Sequence, residues 1–179
     1  VVRGFHRAAD LLAASRVDFS LLPDSLDLPR ETKAVVYVLP LNPADAVLAR
    51  MQTFVEGGGT LYLAGDIGFD AGRKPAGPER LRKIAGVERT GGGSTPLEPI
   101  AVKLAGAETV AMAAGRPVLT RFRQGKGEVW FAGDLIELAP EALELLSLTF
   151  AADSGAAAAA AQLDRWGPPA YDFALLRRM

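Results

Sequence analysis

Apolar residues recur along the chain in two periods, and the switch between them marks out its elements. In residues 3–15, RGFHRAADLLAAS, Phe5, Ala8, Ala9, Leu11 and Leu12 share one face of a 3.6-residue period and predict a helix. In VDFSLLP (17–23) the alternation of Val17, Phe19 and Leu21 predicts a short strand. KAVVYVLPL (33–41) is a continuous β-branched run, the composition of a central parallel strand covered on both faces. Val47, Leu48, Met51, Phe54 and Val55 return to helical spacing, with Asn42 as the expected N-cap and Pro43 at the first helical position. That helix must stop at Gly57, Gly58 and Gly59.

TLYLAGD (60–66) reads as the next strand, and PERLRKIAGVE (78–88) as a short helix closed by Gly86 in the left-handed conformation. RTGGGSTPLEP (89–99) reads as a loop. Several short strands follow, with turns at Gly115-Arg116 and Gly125-Lys126-Gly127, and the strand at 128–133 ends in the second Ala-Gly-Asp of the chain. APEALELLSLTFA (139–151) reads as a helix with Pro140 at its start. Helices alternating with buried strands predict an α/β fold: a three-layer sandwich around a mainly parallel sheet, with right-handed crossovers. The piece near 100–124 is expected as an antiparallel edge addition. Residues 1–151 form the expected domain. Residues 152–179, with an alanine run and Gly-Pro-Pro, are expected as a linker or peripheral tail; the competing reading has Trp166, Tyr171, Phe173, Leu175 and Leu176 docking on a partner.

Charge and composition narrow the functions. A formal net charge of -1 offers no basic field for nucleic acid. No apolar run reaches membrane-spanning length. Position 1 is Val, in keeping with a processed chain or with a piece of a longer polypeptide. There is no cysteine, which removes disulfides, thiolate zinc ligands and a thiol nucleophile. His6 is the single histidine, so a multi-histidine metal site is impossible, and a structural role is expected for it in the first helix. No metal or other cofactor is expected, and a cytoplasmic location is favoured.

The three glycines at 57–59 invite comparison with a phosphate loop, but their polarity is reversed. A phosphate loop follows a strand and opens a helix, offering free N–H groups. Here the glycines close a helix and feed a strand, where the free groups are carbonyls that repel phosphate. They read as a structural turn. The ligand edge of a parallel sheet lies after the strands' C-terminal ends. LYLAGD and VWFAGD place Asp66 and Asp134 at that edge, and Asp70 can join them. Such carboxylates suit a cation or a sugar hydroxyl; equally, each can cap a turn. No Gly-x-Ser-x-Gly elbow occurs. Glu31, Glu56, Glu79 and Glu88 show no paired pattern for glycoside hydrolysis, and RLRK (80–83) reads as a solvated helix face. These residues assign no catalytic group.

Four stretches together carry a family likeness: GFHRAADLLAASRVDFSLLP, AVVYVLPLNPADAVLARMQTFVEGGGTLYLAGD, GPERLRKIAGVE and RPVLTRFRQGKGEVWFAGD. Over residues 1–150 the chain resembles the glutamine-amidotransferase-like domain of family-42 glycoside hydrolases, the β-galactosidase trimerisation domain. The resemblance implies a flavodoxin-like module without catalysis, acting in self-association or in contact with a catalytic barrel. The sugar chemistry of that family belongs to a separate (β/α)8 barrel carrying two glutamates, which needs about 250 residues. None of the family's catalytic residues matches a position here. The segment after residue 151 departs from the β-sandwich that follows in those hydrolases. The alternative to an accessory role is a small-ligand or sensor module of the amidotransferase-like fold, of the kind attached to membrane proteins, using Asp66, Asp70 and Asp134.

Overall fold

The structure, a computed structural model, describes residues 8–9, 18–38, 42–92 and 99–133. The expected helix at 3–15 is described only at Ala8 and Ala9, which are helical. His6, Asp134, the helix expected at 139–151 and the tail lie outside the described residues.

The elements are β1 (Ala34–Val38), α1 (Asp45–Glu56), β2 (Thr60–Ala64), α2 (Glu79–Ala85), β3 (Val87–Gly92), β4 (Ile100–Leu104), β5 (Glu108–Ala113), β6 (Arg116–Gln124) and β7 (Gly127–Ala132). Five strands form one sheet in the order β1-β2-β7-β6-β5, and β3 pairs with β4 in a separate antiparallel ribbon. β1, β2 and β7 run parallel, β6 turns back against β7, and β5 turns again, so four of the five strands point one way. The fold is mixed α/β with a mostly parallel sheet; β5–β6 supplies an antiparallel edge addition, while Ile100–Leu104, expected in that addition, pairs with β3 in the separate ribbon.

The twin strands are neighbours in register. Leu61 lies beside Val129, Tyr62 beside Trp130, Leu63 beside Phe131 and Ala64 beside Ala132. Alternate side chains point to opposite faces. Leu61, Leu63, Val129 and Phe131 form one core cluster with Val47, Leu48, Met51 and Val55 of α1 and Leu81, Ile84 and Ala85 of α2. Both described helices therefore cover the same face. The opposite face is also buried, with Tyr62 at 2% and Trp130 at 4% exposure and Ala64 and Ala132 fully covered.

Three expectations change. Residues 18–23 join no strand, and Phe19, Leu21 and Leu22 are exposed. The helix begins at Asp45 with Ala44 as N-cap and no side-chain cap, so Asn42 and Pro43 both precede the places expected for them, and Asn42 stands at φ 52. Val87 and Glu88, expected at the end of the helix, and residues 89–92, expected as loop, are strand: Gly91 and Gly92 pair with Ala101 and Ile100 across an irregular register. One detail of the sequence pattern is retained at α2, where Gly86 caps the helix at φ 62 and its N–H reaches the Arg82 carbonyl.

Candidate functional site

The C-terminal edge of the sheet is built around the exit from β2. Gly65 leaves the strand at φ 97 and its N–H still donates to the Ala132 carbonyl of β7, at 2.9 Å. Asp66 follows, with its side chain fully buried. Its Oδ1 accepts the Gly68 N–H at 2.7 Å, and its Oδ2 stands 3.1 Å from Nη1 of Arg89 on β3. The Arg89 guanidinium also lies over the Phe69 ring, 5.9 Å from its centroid. The Asp66 carboxylate is thus engaged by one cation and one backbone donor.

Asp70 sits four residues on, in a turn. Its Oδ1 accepts the Lys74 N–H at 2.9 Å, and its own N–H donates to the Lys74 carbonyl. Arg80 ties this loop to the body. It donates to the carbonyls of Ile67 (3.1 Å) and Phe69 (2.5 Å) and pairs with Asp45 in the first turn of α1. Its side chain is only 9% exposed, so the first residue of RLRK is a buried hub and not part of a solvated face.

Beside Asp66, the end of β7 is closed by the β3–β4 ribbon. The Ile100 N–H donates to the Gly133 carbonyl at 2.8 Å, and a Cβ on Gly133 would stand 2.7 Å from the Ile100 carbonyl oxygen. Val87, Ile100 and Val102 of the ribbon belong to the core. Among the described residues, the edge where an α/β sheet often leaves a crevice carries an ion pair and a hydrophobic ribbon. Asp66 and Asp70 therefore hold local structure, and Asp134 lies outside the described residues. Asp70 also borders a shallow groove of about 550 Å³ between α1 and α2, lined by Leu48, Gln52, Arg80 and Lys83 among others. Among the described residues, no group of three or more His, Asp or Glu side chains is placed to hold a metal ion.

The glycines lie at the opposite, N-terminal edge. Gly57 closes α1, Gly58 turns at φ 114, and Gly59 carries the ring of Phe54 where a Cβ would stand 2.3 Å from it. The β6–β7 turn nests against them. Lys126 N–H donates to the Glu56 carbonyl, Glu128 N–H to the Gly59 carbonyl, and a Cβ on Gly127 would stand 2.1 Å from the Gly59 oxygen. The Glu56 carbonyl left free at the end of α1 is thus taken up by a neighbouring hairpin.

Among the described residues, two titrating groups are perturbed away from this edge. A hydrogen-bonded ion pair with Lys103 (2.8 Å), reinforced by Arg82, holds the Glu88 carboxyl below the usual range. Burial, and then the hydrogen bond to Asp24 (3.0 Å), push the Tyr37 phenol well above its ordinary value. Arg89 and Arg80 carry the architecture of the edge, yet neither stands out in the sequence. Arg89 follows a glycine cap and opens a glycine-rich stretch, and no periodicity marks a single arginine that folds inward.

No family model matches the chain, and no curated protein matches it significantly. Solved structures do. The β-galactosidase from Bacillus circulans sp. alkalophilus aligns with TM-score 0.65 and 18% identity over 74% of this chain and 24% of its own. A GH42 β-galactosidase from G. stearothermophilus aligns with TM-score 0.60 and 18% identity over 71% and 22%. An exo-β-1,4-mannosidase from Opitutaceae bacterium strain TAV5 aligns with TM-score 0.61 and 17% identity over 76% and 27%. The chain spans about a quarter of the length of these enzymes, and at such identities the likeness is one of fold: this protein has the fold of one portion of GH42 β-galactosidases and of a mannosidase.

Proposed function

We propose that this chain is a non-catalytic accessory domain of a β-galactosidase-type glycoside hydrolase, serving assembly and contact with a catalytic barrel. One observation carries the reading: nearly three quarters of the chain aligns with less than a quarter of GH42 β-galactosidases. The chemistry of the described residues agrees with it. The Asp66 carboxylate, fully buried at the sheet edge, is held by Arg89, and the glycine turns are occupied by backbone packing. The fold is read as the amidotransferase-like, three-layer sandwich. By analogy with the trimerisation domain it resembles, the module self-associates.

Expression of the complete reading frame containing this sequence tests the proposal. The full product should hydrolyse a nitrophenyl β-galactoside and run as an oligomer in light scattering. A reading frame with no further domain, or a full product that is strictly monomeric and inert, would sink it. The groove beside Asp70 supports a second reading, a small-ligand module. That reading predicts a thermal shift with sugars, nucleotides or divalent cations that Asp70→Ala abolishes.

A further inference from the structure

We draw no further inference here: the strongest candidate, the shallow groove between α1 and α2, belongs to the small-ligand reading already given, and with its Asp45, Asp70 and Glu79 carboxylates engaged by Arg80, the Lys74 N–H and Arg82, nothing in the structure shows what fills it.

Discussion

Replacing Arg89 by alanine isolates the Asp66 carboxylate in the interior. Removing one partner of a fully buried ion pair costs about 3–5 kcal/mol, because the remaining charge is stranded. Asp66 has no exposed side-chain surface, but Arg89 is 29% exposed, so water enters the vacated site. The expected loss is therefore about 2–3 kcal/mol. Asp66→Ala should cost less, about 1–2 kcal/mol: the Gly68 N–H loses its acceptor, while Arg89 turns into solvent. The double variant should be close to Asp66→Ala alone, worse only by the lost Phe69 contact of about 0.5–1 kcal/mol. Urea unfolding with unchanged m-values measures all three and closes the double-mutant cycle. If Asp66→Ala is neutral or stabilising, or the two effects simply add, Asp66 is not held by Arg89 and the site is free for a ligand after all.

The nested glycine turns predict that Gly127→Ala is severely destabilising, because its Cβ would stand 2.1 Å from a backbone oxygen; Gly77→Ala, with open space around it, should change stability by under about 1 kcal/mol. Equal thermal shifts for the two would refute the packing. The lowered Glu88 value carries a pH signature. A depressed carboxylate contributes stability above its unfolded value, here 4.5, and loses it as the pH falls through the folded value. Glu88→Gln should therefore be less stable than the parent near neutral pH, with the gap closing below pH 4.5 in acid unfolding curves. A gap that persists in acid would mean the pair is not the cause.

Elements dominated by local periodicity were legible in the sequence. β2 and β7 follow from two runs of the same pattern, and their side-by-side register explains why the runs are alike: both are buried on two faces. Gly86 was legible because a left-handed cap after an amphipathic turn has few other uses. The misreadings have a common cause in tertiary contact. The alternation at 17–23 has the period of a strand, but a strand also needs a neighbour to bond. β3 was hidden by glycines that pair across an irregular ribbon. Asp66 was found at the correct edge, while its partner Arg89 was not, since the ion pair joins residues from two separate elements.

The role proposed for this fold is architecture, with no sugar chemistry of its own. The most direct measurement is hydrolysis of a nitrophenyl β-galactoside by this chain alone, set beside the full reading-frame product at equal molar concentration. The chain alone should release nitrophenol no faster than buffer while the full product turns over; measurable turnover by the chain alone would contradict the account.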